Sequence, residues 1–447
     1  MQERLANEKI SKLLLSLSIP SIFAQLVSLI YNMVDRMYIG RMPNGTLAMA
    51  AIGLCVSLVN IIGAFNGLFG RGGAPLSAIK MGEKDLDHAD HILSNSFTCL
   101  LCSSIIITIV VSLFKEPILY FFGASSDTIE YAKDYVSIYV LGTVFMQLTV
   151  GLNYFINTQG FNKFGLCTTL FGAGLNIILD PILIFYFNMG IKGAALATVL
   201  SQGVSCIWVL SFFLGKRTIL HIHLKYMKLK WSIIKEILKL GAAPFFMWIS
   251  EGFLTIAFNQ QLLRFGGSLA VSGMTMLISM YDFILLPIEG VAAGSQPILS
   301  FNYGAKNYQR VKETLSLAIK VTLTISVICT VLMELFPSLF LGIFTTDTKL
   351  LALGCKMLRI YIFGAIVMGA NSTFQQTYTS LGDGTKSFFF AFLRKIILLI
   401  PLIYILPMLP LENKVMLVVL AEPIADLITT SSNSLFFKFK FLKTMEA

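Results

Sequence analysis

GGAPLSAIKMGEK, the stretch from Gly72 to Lys84, is matched 222 residues later by GSQPILSFNYGAK, from Gly294 to Lys306. Glycines and a proline recur at this one offset, and the coincident pairs are Gly72/Gly294, Pro75/Pro297, Gly82/Gly304, Lys84/Lys306 and, further along, Gly160/Gly382. Glycine and proline are more closely tied to backbone geometry than other residues are. Their coincidence therefore indicates a duplicated architecture.

Both copies lie in sequence that needs lipid as its solvent. Of the 447 residues, 56% are hydrophobic and 13% are charged, whereas soluble domains carry about 25% charged residues. Apolar runs long enough to cross a hydrocarbon core of ~30 Å recur along the whole chain and leave no room for a soluble domain. The composition predicts an all-α integral membrane protein.

Apolar runs bounded by glycine, proline and charge predict twelve transmembrane helices. They lie near residues 10–40, 48–81, 89–114, 128–159, 163–188, 191–214, 241–264, 268–303, 310–342, 348–381, 385–408 and 413–441. Equal numbers of helices running in the same direction predict two pseudo-symmetric six-helix lobes, which are parallel repeats related by an axis along the membrane normal. Substrate is expected between the lobes, with alternating access by rocking of one lobe against the other.

The distribution of charge predicts the orientation of the chain. Residues 216–239 carry seven Lys or Arg residues against the single acidic Glu236, which assigns this segment to the cytoplasm, and an even number of helices then places both termini there. The net charge of +10 thus reflects membrane topology and not nucleic-acid binding. Basic and apolar residues alternate around Trp231, so residues 219–240 are predicted to form an interfacial amphipathic linker between lobes 1–218 and 241–447.

Four longer motifs resemble the multidrug and toxic compound extrusion family, in its MepA-like multidrug export branch. They read VDRMYIG from Val34, LNIILDPILIF from Leu175, GSQPILSFNYGAKNYQRVKE from Gly294 and LAEPIADL from Leu420. The resemblance implies two six-helix lobes that form a V-shaped central cleft. It also implies secondary active export of amphipathic, cationic organic compounds by antiport with Na⁺ or H⁺.

Acidic and polar residues in the amino-terminal half suggest a site for the coupling ion. Asn176 and Asp180 are four residues apart and share a helix face. Gly190 marks the following outer turn, which places Asp180 ~15 Å and Thr198 ~12 Å below it. Asp35 lies near the outer end of the first helix, so the four side chains can converge in the outer half of the lobe.

Two carboxylates, an amide oxygen and a hydroxyl suit a hard cation such as Na⁺, and the same carboxylates in an apolar environment can take up a proton. The positions of these four residues match the amino-lobe cation site that the family resemblance implies. The structural alternative is that Asp180 caps a kink at Pro181 while Asn176 and Thr198 hydrogen-bond between helices. That alternative is favoured for the amide and the hydroxyl alone, whereas a buried carboxylate points to function.

Candidate substrate-contacting residues are Glu251, Asp282, Glu289 and Arg71. Glu251 resembles an acidic position that some family members use in the carboxyl lobe, but residues 357–381 contain no carboxylate to complete a second cation site there. The alternative is that Glu251 faces the cleft and attracts cationic substrates. Asp282 and Glu289 lie close to two helical turns apart and share a face, so they either line the carboxyl-lobe cavity or serve helix ends. Arg71 is expected ~16 Å from the inner end of its helix, either paired with a carboxylate as a structural residue or pointing into the cleft.

A structural ion pair is predicted in the last two helices. Arg394 and Asp426 are each sixteen residues from Pro410, where the chain turns, so equal helical rise places them at the same depth. Glu422 is expected one turn nearer the outside.

Two other functions compete with multidrug export. A lipid-linked oligosaccharide flippase would need several cationic residues for a diphosphate, and a membrane-embedded transferase would need clustered aspartates or paired histidines within a span. The sequence favours a transporter that is not an enzyme and uses Na⁺ or H⁺ but no cofactor. Its expected partners are small organic molecules and membrane lipid without nucleic acid, and it is expected to be a monomer in the bacterial inner membrane.

Overall fold

The computed structural model describes residues 1–43 and 45–441. The end of the predicted carboxyl lobe, residues 442–447, lies outside the described residues. In the described part, regular structure is helical, and no residue is in a strand.

Eleven helices in the described residues are long and apolar enough to cross a membrane. They are α1 (Ile10–Gly40), α2 (Leu47–Gly82), α3 (Leu86–Phe121), α4 (Ile129–Thr158), α5 (Asn162–Tyr186), α6 (Ile191–Leu214), α7 (Trp231–Gly304), α8 (Tyr308–Leu335), α9 (Thr348–Ser380), α10 (Gly384–Met408) and α11 (Lys414–Phe439). With 74 residues, α7 contains two of the predicted crossings. Gly267 breaks it with φ +64° and ψ −166°, between the predicted seventh and eighth spans.

Several helices contain short irregular segments whose cause is visible in the sequence. In α5 a π-helical stretch, Ile182–Tyr186, directly follows Pro181, which has no backbone N–H to donate. In α3 the backbone leaves helical geometry at Phe114, three residues before Pro117, and then continues to Phe121. The predicted end of this helix at residue 114 was therefore wrong, because the chain kinks there and does not stop.

The predicted repeat is visible in the backbone itself. The turns after α2 and α7 place Lys84 and Lys306 in the left-handed region, with φ of 66° and 57°. Gly160 and Gly382 have φ of 87° and 83°. Short 3₁₀ segments at Val140–Gly142 and Ile362–Gly364 also fall at the offset of 222 residues. The two halves thus share local backbone geometry, not only sequence.

Repeat-equivalent glycines also contact each other's helices. A Cβ atom on Gly82 would clash with the carbonyl oxygen of Phe301, and one on Gly304 would clash with that of Ile79. Ile79 and Phe301 are themselves 222 residues apart. A reciprocal contact of this kind is the pattern that a two-fold relation produces. The ends of α2 and α7 therefore cross at a point that leaves no room for a side chain.

The chain forms two compact units. The first contains Met1–Glu8, Ile19–Trp248 and Ser300–Lys306, and the second contains Lys9–Ser18, Ile249–Leu299 and the described residues from Asn307 onward. Each has its own apolar core, which includes Ile62 and Val136 in the first unit and Leu277 and Val418 in the second. The predicted lobe limits at residues 218 and 241 stay a prediction.

The predicted amphipathic linker is not one helix. Its first part contains only a short 3₁₀ turn, Leu224–Met227, and Trp231 begins α7. Side chains of α3 hold this part: Asn95 donates to the carbonyl of Tyr226 and accepts from the N–H of Lys230, and Asp90 accepts from the N–H of His221. These side chains hydrogen-bond to backbone N–H and C=O groups of the linker, which are therefore satisfied without a helix.

An aromatic contact between the linker and the first residues of α3 adds to this attachment. The Tyr226 ring stacks on His91 with centroids 3.6 Å apart, and its hydroxyl donates to Asp87 at 2.5 Å. This hydrogen bond to a carboxylate raises the pKa of Tyr226, so the phenol stays protonated and continues to donate at neutral pH.

Candidate cation-coupling site

Three neighbouring helices of the first unit supply the predicted amino-terminal site. Asp35 lies on α1, Asn176 and Asp180 lie on α5, and Thr198 lies on α6. Asn176 and Asp180 are one helical turn apart, just before the π-helical segment that follows Pro181. The regular turn fixes these two side chains on one face of α5.

The acidic side chains of this site lie together, with Asp35 half-buried. Asp180 is fully buried and Asn176 is 2% exposed. The Asn176 amide nitrogen donates to Asp180 Oδ1 over 3.3 Å. The carboxyl groups of Asp35 and Asp180 lie within hydrogen-bonding reach of each other. Two ionised carboxylates only accept hydrogen bonds, so such a pair requires a proton on one of them or a cation between them.

Three oxygens of this group are buried without a hydrogen-bond partner among the described residues. They are Oδ1 of Asp35, Oδ2 of Asp180 and Oδ1 of Asn176. A buried acceptor with no donor costs free energy, about 1–3 kcal/mol for a neutral group and more for a charged one. Carboxylate and amide oxygens are also the ligands that a hard cation prefers. The residues present therefore fit a bound Na⁺ or a shared proton.

Thr198 joins this group through a polar cavity. Thr198 and Asn176 both line a cavity of about 210 Å³, together with Tyr31 from α1. The Thr198 hydroxyl donates to the carbonyl of Ala194 at 3.1 Å, which leaves its oxygen lone pairs available as acceptors. The structure thus brings Asp35, Asp180 and Asn176 into one cluster and places Thr198 on the cavity beside it.

Tyrosines near the carboxyl pair were missed by the sequence analysis. Tyr31 interacts electrostatically with both Asp35 and Asp180, and Tyr135 interacts with Asp35. Tyr135 also stacks on Tyr139 with centroids 5.6 Å apart. The spacing of four residues between Tyr31 and Asp35 on one helix was a usable signal, whereas Tyr135 comes from α4 and no local pattern connects it to the site.

The predicted pairing of Arg394 with Asp426 is present in the second unit. Arg394 donates from Nε to Asp426 Oδ1 and from Nη2 to Glu422 Oε1, each over 2.6 Å. Tyr281 donates to the other oxygen of Asp426 at 2.9 Å. Glu422 was expected one turn away and completes the same network. A guanidinium between two carboxylates gives both of them a hydrogen-bonded partner within the cluster.

Glu251 has a basic partner that the sequence analysis did not single out. Lys395, which directly follows Arg394 and is 2% exposed, forms an ion pair with Glu251. The charge that Glu251 was expected to offer to substrates is therefore largely balanced by this lysine. Asp282 interacts electrostatically with Glu251 and Glu289, and both Asp282 and Glu289 are exposed. Their role in lining a cavity stays a prediction.

Arg71 contacts an aromatic residue of α4. Its Nε donates to the hydroxyl of Tyr154 at 3.0 Å, and its guanidinium carbon lies 5.3 Å from the centroid of that ring. The residue is exposed and closes the π-helical segment Gly67–Arg71. An expected carboxylate partner for Arg71 stays a prediction, and the phenol is the contact that the structure shows.

Comparison with known proteins places this architecture in a family. The chain is 26% identical over 400 residues to the multidrug export protein MepA of Staphylococcus haemolyticus (strain JCSC1435), covering 90% of this chain and 88% of that protein. A MATE crystal structure in the bent conformation matches with a TM-score of 0.93 at 22% identity over 100% of this chain and 99% of that chain. An outward-facing multidrug resistance MATE transporter of the MOP superfamily matches with a TM-score of 0.91 at 22% identity, covering 99% and 98%.

These two structural likenesses concern the fold, which in MATE transporters consists of twelve helices in two lobes. The MatE family model matches residues 20–182 and 244–405, most of both halves of the chain. The members of this family are transporters and not enzymes. With the duplicated helical halves and the family match over both of them, the chain belongs to the MatE family of multi-pass membrane transporters.

Proposed function

We propose that this protein exports amphipathic organic cations in exchange for Na⁺ or H⁺. The observation that carries the proposal is the cluster of Asp35, Asp180 and Asn176, whose three buried oxygens have no hydrogen-bond partner among the described residues. Its relatives include the multidrug export proteins MepA, which supports a broad organic substrate range. The exposed Asp282 and Glu289 support a preference for cationic substrates.

The coupling ion acts on the repulsion between the two carboxylates. When Asp35 and Asp180 are both ionised and no cation is bound, they repel each other in a low-dielectric environment. A bound Na⁺ or a proton removes that repulsion. If the distance between α1 and α5 differs in the outward and inward arrangements, the ion binds the two arrangements with different affinity and shifts their populations. We propose that this coupling drives alternating access.

The remaining features of the proposed transporter concern its setting. We infer that both termini face the cytoplasm of a bacterial inner membrane, which is supported by the basic segment 216–239. We also infer that a monomer suffices, because one chain supplies all four residues of the proposed cation site. The coupling ion serves as co-substrate, and no organic cofactor is proposed.

Export from liposomes tests this function. Purified protein is reconstituted, and movement of ethidium is followed under an imposed Na⁺ gradient, an imposed pH gradient and no gradient. Transport that one of the two gradients accelerates supports antiport and identifies the ion. Equal ethidium movement under all three conditions, or movement no faster than in protein-free liposomes, would refute the proposal.

A further inference from the structure

A cavity in the second unit is unrelated to the polar cluster described above. Its volume is about 440 Å³, within the range of small-molecule sites, about 300–1,000 Å³. It lies between α8, α9 and α11. The residues that line it include Lys312, Ser316, Lys320, Phe374, Phe437 and Lys438. None of the described residues that line it is acidic.

The polar side of this cavity is a stripe along one helix face. Lys312, Ser316 and Lys320 follow one another at intervals of four on α8, so their side chains point in the same direction. The two lysines are about 12 Å apart along the helix axis. Lys438 at the end of α11 adds a third ammonium to the same cavity.

The floor of the cavity is apolar. Phe374 and Phe437 are 7% and 3% exposed, and their ring centroids are 4.8 Å apart. Leu315 and Ile319 lie on α8 beside the lysine stripe. A small inorganic anion would bind the ammonium groups but would make no favourable contact with this apolar surface. A molecule with an anionic head and a hydrocarbon body matches both.

Lys320 lies well inside the span that α8 forms. It comes twelve residues after Tyr308, about 18 Å along α8, and is exposed to the cavity side of an apolar span. A lysine at such depth reaches toward the interface with its flexible stem or meets an anion. Basic pockets between transmembrane helices on the cytoplasmic side are suited to phospholipid head groups.

We propose that this cavity binds an anionic phospholipid of the membrane. The phosphate is held by the ammonium groups of Lys312, Lys320 and Lys438, with Ser316 as a hydroxyl partner. The glycerol and the first part of the acyl chains lie against Phe374 and Phe437. The site is independent of the proposed export function, since none of its residues belongs to the cation cluster.

Native mass spectrometry of the full chain in detergent tests the proposal. Phosphatidylglycerol and phosphatidylcholine with the same acyl chains are titrated separately, and glycerol 3-phosphate is added as a competitor. We expect retained phosphatidylglycerol, with apparent affinity about tenfold or more above that for phosphatidylcholine, because the three lysines attract a net negative head group and repel the choline ammonium. Equal retention of both lipids would overturn the proposal. Displacement of the lipid by an equal concentration of glycerol 3-phosphate would also overturn it, by showing a site for soluble anions.

Substitutions locate the binding. Lys312→Gln, Lys320→Gln and Lys438→Gln combined should weaken phosphatidylglycerol binding about tenfold or more, whereas arginine at the same three positions should preserve it. Lys235→Gln removes an exposed lysine of α7 outside the cavity and should leave binding unchanged. Thermal unfolding without added lipid checks that each variant folds. If the triple variant does not fold, the single variant Lys320→Gln is used instead. Wild-type binding by the folded glutamine variants would overturn the proposal.

Discussion

Buried carboxylates face different surroundings in the two units. Asp426 is fully buried but receives hydrogen bonds from Arg394 and Tyr281. Asp180, also fully buried, accepts from Asn176 and interacts with Asp35 and Tyr31. A carboxylate with a guanidinium partner has a counter-charge within the protein, whereas a carboxyl pair without one needs a proton or a cation. The first arrangement suits a structural role and the second suits ion exchange.

Removing the guanidinium tests the structural role of the Arg394 network. In Arg394→Met, Glu422 and Asp426 remain buried without their cation, and breaking a buried ion pair from one side typically costs about 3–5 kcal/mol. We expect a clear fall in the thermal unfolding midpoint in detergent, partly restored by adding Glu422→Gln and Asp426→Asn. Arg359→Met, at an exposed arginine of α9, is the matched control and should change the midpoint little. An Arg394→Met protein as stable as the control would contradict this role.

At the scale of helices, the sequence was informative wherever apolar length decided the outcome. The twelve predicted spans correspond to the observed helices, and the break inside α7 falls at Gly267, between two predicted spans. The prediction failed in the linker because distant side chains, among them Asn95 and Asp90, replace helical hydrogen bonds there. Propensity and periodicity contain no signal for such tertiary contacts.

The linker attachment can be tested through Asn95. In Asn95→Ala the carbonyl of Tyr226 and the N–H of Lys230 lose their common partner. We expect faster amide hydrogen exchange across residues 221–230, measured by mass spectrometry, with little change inside α5 or α6. Ser112→Ala, at an exposed position of the same helix, should leave exchange in the linker unchanged. If both variants show wild-type protection, the attachment does not depend on this amide.

The crossing of α2 and α7 gives a second test at this scale. Gly304→Ala forces a methyl group against the carbonyl of Ile79, and overpacking of this kind typically costs about 1–3 kcal/mol. A lower unfolding midpoint is expected. Gly174→Ala, at a helical glycine of α5 with no atom within 4 Å of the added carbon, should be neutral or stabilising by roughly 0.5–1 kcal/mol. Equal effects of the two substitutions would count against the close crossing.

For the whole molecule, the duplication was predictable because it left its mark on residues with restricted backbone geometry. Gly160 and Gly382 coincide in sequence and also in their positive φ. The candidate site was only partly predictable. Asn176 and Asp180 are predictable from their spacing on one helix, whereas Tyr135 and Lys395 meet Asp35 and Glu251 only through tertiary packing.

The central claim is that Asp35 and Asp180 together bind the ion that drives export. Its most direct test is ethidium transport in liposomes under the effective ion gradient, with wild type, Asp35→Asn, Asp180→Asn and the exposed-site control Asp127→Asn reconstituted in equal amounts. We predict that both site variants are folded and inserted but transport no faster than protein-free liposomes, while Asp127→Asn matches wild type. Wild-type rates with unchanged ion dependence in Asp35→Asn and Asp180→Asn would contradict the account.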